Sequence, residues 1–310
     1  MYNINNQELD TVLNEFIELH SLKKSYIDTV HRWYFPQIQA LLSRIESRSE
    51  PFVIGINGCQ GSGKSTLADL IVHIYTRLYE KKCVAISIDD FYLTLEERKQ
   101  LADRVHPLFL TRGVPGTHDV SLATSTLNQL SSQSGEVKVP RFNKALDDRY
   151  DENEWTQVEP PADVIVLEGW CLGATAQNDK QLKSPVNELE EFEDRSGIWR
   201  DYVNQCLQGE YQELFSKIDY WMMLKAPSFE SVFEWRLEQE RKLETHLKSD
   251  TNFSASKKEN SYSFMSPQQI RRFIQYYQRI TEHLLDDLPD RCDCVFDLGK
   301  NREVQAVKSN

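Results

Sequence analysis

No apolar run in this chain approaches the ~20 residues that a membrane-crossing helix needs, so no membrane partner is expected. The first residues, Met1-Tyr2-Asn3-Ile4-Asn5-Asn6, show neither a basic stretch nor an apolar core, and no secretory leader is expected there. Positive charge is in deficit. Lys and Arg total 36 against 48 Asp and Glu, a net charge of −12, whereas a generic nucleic-acid binder is basic. Cysteine is sparse: six residues, at 59, 83, 171, 206, 292 and 294, are scattered and partly set in apolar runs. That pattern fits reduced thiols in a cytoplasm, not a disulfide framework. Cys292-Asp293-Cys294 is too tight for a metal knuckle, and on a strand both side chains would face one side and pack inward. No repeat or low-complexity linker marks off a second domain. Glycine is scarce too, 12 in 310 residues, yet four fall between 55 and 63.

Those four belong to Val53-Ile54-Gly55-Ile56-Asn57-Gly58-Cys59-Gln60-Gly61-Ser62-Gly63-Lys64-Ser65-Thr66-Leu67. A short branched apolar run, as in a buried strand, leads into G-x-x-x-x-G-K-[ST] and then into a helical pattern. This is the phosphate-binding P-loop in its strand–turn–helix context. Its backbone N–H groups converge on phosphate oxygens, an approach a Cβ would obstruct. Lys64 reaches the β- and γ-phosphates, Ser65 offers a hydroxyl to Mg²⁺, and the helix N-terminus favours anions.

Apolar residues recur at helical spacing in 7–47: Leu9, Val12, Leu13, Phe16 and Ile17, then Tyr26, Ile27 and Val30, then Ile38, Leu41, Leu42 and Ile45 after Pro36. Residues 1–50 are expected to form a helical N-terminal extension, and 51–310 one main domain with inserted substrate and lid loops. Val84-Ala85-Ile86-Ser87-Ile88 reads as a second buried parallel strand. It delivers Asp89-Asp90-Phe91-Tyr92 to its carboxyl end, where ligands of open α/β sheets bind. One of the two acids is expected to be catalytic and one structural; the alternative is that both cap the next helix.

The loop Arg112-Gly113-Val114-Pro115-Gly116-Thr117-His118-Asp119 is dense in special residues. Lys138, Arg141, Lys144 and Arg149 make a basic cluster in an acidic chain, either an ordinary solvated loop or a local anion site. Asp163 to Leu167 is another buried strand, closed by Glu168. A carboxylate in that position commonly holds Mg²⁺. Residues 174–197 read as a polar surface connection with a short helix, 198–217 as one helix and 218–224 as a strand. The helix over 229–247 carries Arg236 and Arg241, which either close over phosphates or pair with neighbouring Glu. Residues 248–263 are expected to form a mobile loop. A helix then starts with Ser266 as cap and Pro267 at its first position. Residues 292–298 form a last strand, with frayed residues after it.

These stretches together resemble the plant-type D-glycerate 3-kinases and the yeast ATP-dependent kinase related to them, within the P-loop kinases that include phosphoribulokinase, uridine kinase and pantothenate kinase. The resemblance spans roughly residues 30–300. It rests on Gly58–Thr66, Ser87-Ile88-Asp89-Asp90-Phe91-Tyr92, Arg112–Asp119, Pro140-Arg141-Phe142-Asn143-Lys144, Glu168-Gly169-Trp170, Gly197-Ile198-Trp199-Arg200 and Trp235-Arg236-Leu237-Glu238-Gln239-Glu240. It implies an α/β, P-loop NTP hydrolase-type three-layer sandwich with a mainly parallel central sheet and an added helical N-terminus.

The resemblance also implies ATP and Mg²⁺ as cofactors and transfer of the γ-phosphate to D-glycerate, giving 3-phosphoglycerate. Gly58, Cys59, Gln60, Gly61, Ser62, Gly63, Lys64, Ser65 and Thr66 would hold the ATP phosphates, with Mg²⁺ on Ser65 and Glu168. Asp89 would accept the proton of the acceptor hydroxyl. Lys64, Arg112 and Arg236, or Arg241 in its place, would stabilise the transferred group. Tyr92, Arg112, His118, Lys144 and Arg149 would bind the acceptor, a small molecule carrying a carboxylate. Two departures lie in the acceptor loop: Asn143 stands where the family usually has Asp, and Ala145-Leu146-Asp147-Asp148-Arg149 lacks the usual glycine. They leave open a kinase of the pantothenate or nucleoside type. A nucleotide-gated regulatory ATPase is the alternative of a different class. No Asn-Lys-x-Asp guanine-reading motif is present, so a GTPase switch is not expected.

Overall fold

A computed structural model describes residues 4–132, 135–249 and 265–309, with only the helical backbone for 243–249. Three helices come first: α1 (Asn6–Leu19), α2 (Ser25–Thr29) and α3 (Phe35–Glu46). Then follow β1 (Phe52–Gly58), α4 (Lys64–Tyr79), β2 (Cys83–Ser87), α5 (Leu95–Arg104) and α6 (Val120–Leu130). Four short strands come next, β3 (Val137–Val139), β4 (Phe142–Asn143), β5 (Asp148–Arg149) and β6 (Thr156–Val158), before β7 (Val164–Gly169). Helices α7 (Asp179–Lys183), α8 (Glu188–Glu193), α9 (Ile198–Gln208) and α10 (Glu210–Phe215) precede β8 (Tyr220–Lys225). The chain closes with α11 (Phe229–Ser249), α12 (Pro267–Asp287), β9 (Cys294–Leu298) and β10 (Val304–Ser309).

Six strands form the central sheet in the order β10-β9-β8-β1-β7-β2. All neighbours run parallel except β10, which is antiparallel to β9. Alternate residues of β1 and β7 feed two cores. Phe52, Ile54, Ile56, Val164 and Val166 meet α1, α3, α4 and α11 on one face. Val53, Ile165 and Leu167 meet α5, α6, α9, α10 and α12 on the other. Burial on both faces is why these strands read as unbroken apolar runs. The fold is the expected three-layer α/β arrangement, and the N-terminal helices lie in one of its two outer layers. Among the described residues, no helix is long and apolar enough to cross a membrane.

Several boundaries differ from expectation. Residues 304–309 do not fray. They form β10, with Val304 opposite Leu298 and Ser309 opposite Cys294. Residues 174–197 are not a plain surface connection. Glu190 and Asp194 are buried, the first accepting from Arg279 Nε at 2.7 Å and the second from Arg200 Nη1 at 3.0 Å. The single helix expected over 198–217 is broken at Gly209, which separates α9 from α10. Of the loop expected over 248–263, residues 248–249 belong to α11 and 250–263 lie outside the described residues. The capping prediction holds: Ser266 accepts from Gln269 N–H in a capping box, with Pro267 in the first turn.

Beside the P-loop, the buried Asn57 ties β1 to the segment after β7, its Nδ2 donating to the carbonyls of Trp170 (3.1 Å) and Leu172 (2.7 Å). Asn57→Leu keeps the volume and orphans both carbonyls. It should cost about 1–3 kcal/mol, read as a lower urea midpoint at constant slope. An unchanged midpoint would refute the assignment of this role to Asn57.

Candidate active site

The P-loop wraps the end of β1 and opens into α4. Gly63, the residue before α4, has φ +95°, with open space where a Cβ would sit, so the need for glycine is conformational. At Gly61 the reason is packing as well, since a Cβ there would stand 2.9 Å from Trp235 Cβ. The unpaired N–H groups at the start of α4 make an anion site. Cys59 lies in the loop but contributes no thiolate, because burial pushes its thiol up to about 12. Lys64 Nζ is 3.7 Å from Glu168 Oε2. Burial opposes its charge, but Glu168 and Asp89 outweigh that and raise its pKa. Ser65 Oγ donates to Glu168 Oε1 at 2.7 Å. Glu168 Oε2 is buried without a hydrogen-bond partner among the described residues. A hydroxyl beside a carboxylate with an unspent oxygen suits a hard divalent cation that takes its remaining ligands from phosphates and water.

Two cavities adjoin the P-loop. One, of about 390 Å³, is lined by Lys64, Ser65, Thr66, Gln239, Lys242 and Arg302. The other, of about 380 Å³, lies between Ser62, Gly63 and Thr66 on one side and Tyr26, Thr29 and Asn301 on the other. The N-terminal helices therefore supply part of a wall next to the phosphate loop.

The acid pair stands at the end of β2, on a short 3-10 turn whose cap is Ser87. The two carboxylates have different surroundings. Asp90 accepts from Arg141 Nη1 at 2.9 Å and from the Phe142 N–H at 3.2 Å, pinning β4 to the sheet end. Asp89 accepts from the Tyr92 hydroxyl at 2.9 Å and from Lys144 Nζ at 3.0 Å. Burial works against its charge, but Lys144 and then Lys64 hold it well below the usual carboxylate range. Neither acid caps α5, which begins with a Thr94–Glu97 capping box.

The Arg112–Asp119 loop is stitched to this turn by backbone bonds, Leu93 N–H to Thr117 at 2.9 Å and Asp119 N–H to Phe91 at 2.7 Å. His118 thereby stacks on Tyr92, ring centroids 4.5 Å apart, and its Nδ1 is 2.7 Å from the Tyr211 hydroxyl. Burial lowers its pKa to about 4, so the ring is neutral at neutral pH. Arg112 lies over the Phe142 ring and pairs with Asp147, which is also held by the fully buried Arg98 at 3.0 Å.

Of the residues singled out in the sequence, Lys64, Ser65 and Glu168 meet at the P-loop, while Asp89, Tyr92, His118 and Lys144 meet at the end of β2. Arg112 stands on the rim of the second group. Arg149 turns elsewhere: its guanidinium donates to the Tyr92 carbonyl at 2.9 Å and lies 3.7 Å from Asp119. Arg236 is paired with Glu240 at 2.9 Å, the second of its two expected settings. Sequence reasoning missed Arg302, whose Nε donates to the Gly61 carbonyl at 2.8 Å while its guanidinium covers Trp235. The partners are 241 residues apart, and no local pattern marks the contact.

The Phosphoribulokinase / Uridine kinase family matches residues 53–192. The "Uncharacterized kinase mug58" of Schizosaccharomyces pombe is 33% identical over 241 residues, which is 73% of this chain and 78% of the relative. The chloroplastic D-glycerate 3-kinase of Arabidopsis thaliana is 34% identical over 226 residues, 69% of this chain. Those residues make up 47% of the plant protein, so the chain spans about half its length. A solved structure of a D-glycerate 3-kinase from Cryptococcus neoformans aligns with a TM-score of 0.71 at 24% identity, covering 88% of this chain and 96% of that one. That likeness speaks to the fold.

If Lys144 is what holds Asp89 down, Lys144→Met should raise the Asp89 carboxyl pKa toward the ordinary aspartate value. Carboxyl ¹³C titration reads this directly; an unmoved titration would leave Lys64 as the sole effective cation.

Proposed function

The chain belongs to the phosphoribulokinase/uridine kinase family of ATP-dependent P-loop kinases, and from that premise we propose that it transfers the ATP γ-phosphate to a hydroxyl of a small carboxylate, D-glycerate foremost, yielding 3-phosphoglycerate. The observation that carries the reading is the setting of Asp89, a charged carboxylate at a strand end, acted on by Lys64 of the phosphate loop and by Lys144 of a separate loop. A protein that only hydrolyses nucleotide has no need of a second cationic loop on the far side of its base. The 34% identity to the chloroplastic D-glycerate 3-kinase supports the choice of acceptor.

In this reading the N–H groups of Gly61, Gly63, Lys64 and Ser65, with the Lys64 side chain, hold the β- and γ-phosphates, while the Ser62 N–H is spent on the Cys59 carbonyl at 3.2 Å. Ser65 and Glu168 would hold Mg²⁺, which would supply charge neutralisation at the phosphate oxygens. The acceptor hydroxyl displaces Lys144 from Asp89 Oδ2. Tyr92 keeps its bond to Oδ1, fixing the carboxylate while Oδ2 takes the hydroxyl proton. The hydroxyl oxygen bonds to the γ-phosphorus, and the bond from that phosphorus to the β–γ bridging oxygen breaks, leaving ADP. Lys144, released, pairs with the acceptor carboxylate, joined by Arg112 in competition with Asp147. Arg149 acts indirectly by holding the Tyr92 backbone. Arg236 and Arg302 are both paired, with Glu240 at 2.9 Å and Glu238 at 2.6 Å; Arg302 lines the cavity beside Lys64 to Thr66, and by that position it takes the part at the donor phosphates that the sequence suggested for Arg236.

ADP release from Mg-ATP, measured with D-glycerate, other hydroxy acids, pantothenate and nucleosides against a no-acceptor control, tests the proposal. Stimulation by D-glycerate is the expected result. Stimulation by pantothenate or a nucleoside alone would replace the acceptor, and release indifferent to acceptor would favour a regulatory ATPase. Asp89→Asn should lower acceptor-stimulated turnover by at least roughly 10²-fold with the ATP Kd nearly unchanged. Turnover within a few-fold of wild type would sink Asp89 as the base.

A further inference from the structure

Resting on the acceptor site just proposed, we infer that Tyr211 is a positioning residue: it locks the neutral His118 ring in the tautomer that carries its proton on Nε2, so that His118 presents a hydrogen-bond donor to an acceptor oxygen beside Asp89. The sequence marked Tyr211 only as part of an apolar helix face. In the fold, α10 carries it, completely buried, to the back of the Arg112–Asp119 loop. Its hydroxyl oxygen accepts the Gly116 N–H at 3.0 Å and lies 2.7 Å from His118 Nδ1.

Counting protons decides the tautomer. A phenol hydroxyl has one hydrogen to donate, and burial keeps Tyr211 protonated. Among the described residues the one acceptor within reach of that hydrogen is His118 Nδ1. If Nδ1 carried the ring proton, two hydrogens would face each other or the phenol hydrogen would be orphaned, and Nε2 would be a second orphan. With the proton on Nε2, the chain Gly116 N–H to Tyr211 O–H to His118 Nδ1 is fully satisfied. A single group is then left over, the Nε2–H. That atom is buried with no partner among the described residues, on a residue that is 3% exposed. An unmet buried donor is costly, and its place points to what would meet it. The ring stacks on Tyr92, whose hydroxyl holds Asp89, and the charge that acts on His118 is that of Asp89. A substrate that displaces Lys144 from Asp89 brings its oxygens into this neighbourhood. A neutral N–H there selects a hydroxyl or carboxylate oxygen over any group that can only donate. His118 is thus a specificity element, not the cation that its place among Arg112, Lys144 and Arg149 suggests.

Two measurements test this. The first is ¹⁵N NMR of the His118 imidazole near pH 7 in the intact protein. It should show Nε2 protonated and Nδ1 bare, with the Nε2 proton shifting when D-glycerate, or whichever acceptor stimulates ADP release, is added. Tyr211→Phe should shift the Nδ1 resonance and raise the acceptor KM about 3- to 10-fold, leaving the KM for ATP unchanged. The second separates the donor from packing. In His118→Gln the amide nitrogen stands near the Nε2 position, and in His118→Asn near Nδ1. The Gln variant should keep an acceptor kcat/KM several-fold above the Asn variant, with equal thermal stability. A protonated Nδ1, or equal loss in Gln and Asn variants that remain folded, would overturn the proposal while leaving the kinase reading intact. Absence of stimulation by every acceptor would overturn both.

Discussion

A carboxylate withdrawn from water stays ionised only where positive charge and donors replace the lost hydration. Asp89 stands under that constraint, and much of the molecule serves it. Lys64 arrives from the start of α4, and Tyr92 from the same turn three residues on. Lys144 arrives from a hairpin that would have no reason to lie here without its own anchors. Those anchors are Asp90 on Arg141 and the Phe142 N–H, and Asp147 on Arg98 and Arg112. The charge at the strand end and the order of the loop above it are one arrangement.

The two neighbouring acids show how exposure sorts function from structure. Lys144 is 63% exposed, so its pair with Asp89 is worth ~1 kcal/mol or less and yields to a ligand. The carboxylates themselves differ little, 21% exposed for Asp89 and 16% for Asp90; the partners differ, since Arg141 is 35% exposed and Asp90 carries a backbone bond from Phe142 besides it. One carboxylate is dressed by a removable cation; the other is a rivet. The same contrast separates Lys144 from Arg149, whose side chain is 12% exposed and spent on a carbonyl.

What was legible in the sequence follows from burial. Strands covered on both faces must be apolar throughout, so β1 and β7, buried at every residue, announced themselves, and the P-loop announced itself through spacing; β2, at the sheet edge with alternate residues half-buried, was legible because Cys83, Val84, Ala85 and Ile86 are all apolar. The edge strand β10 has one side open to water, and Gln305 and Lys308 broke the apolar signal that the central strands carry. The ends of Asp-bearing strands could be placed beside the P-loop from sequence, because parallel topology brings them there. The partners of those acids could not. Asp89 and Lys144 are 55 residues apart and Asp90 and Arg141 are 51, and Asp147, which anchors the same loop on Arg98 and Arg112, reaches its position through a left-handed backbone at φ +57°. Tyr211 looked like a core residue because it is one; only its hydroxyl, invisible to periodicity, joins it to Gly116 and His118. Buried Glu190 and Asp194 were read as surface because acidic runs usually are, and their arginines lie on other helices.

The acidic character of the whole chain and the cationic character of the acceptor site are compatible because they act over different distances. Surface carboxylates that produce the net −12 are screened beyond a Debye length of ~8 Å. Two charges 3–4 Å apart near a protein surface interact by about 4–5 kcal/mol before competing costs. Lys64 and Arg112, 13% and 25% exposed, act at that short range, and the more exposed Lys144 acts there more weakly. For an anionic acceptor the distant repulsion lowers the frequency of encounter, while the local cations govern what stays. Because those cations are already paired with Asp89, Glu168 and Asp147, the site offers no strong unsatisfied positive field to stray anions. It becomes cationic toward a ligand only as that ligand takes over one of the pairs, and a ligand bearing both a hydroxyl for Asp89 and a carboxylate for the released lysine does this at least cost.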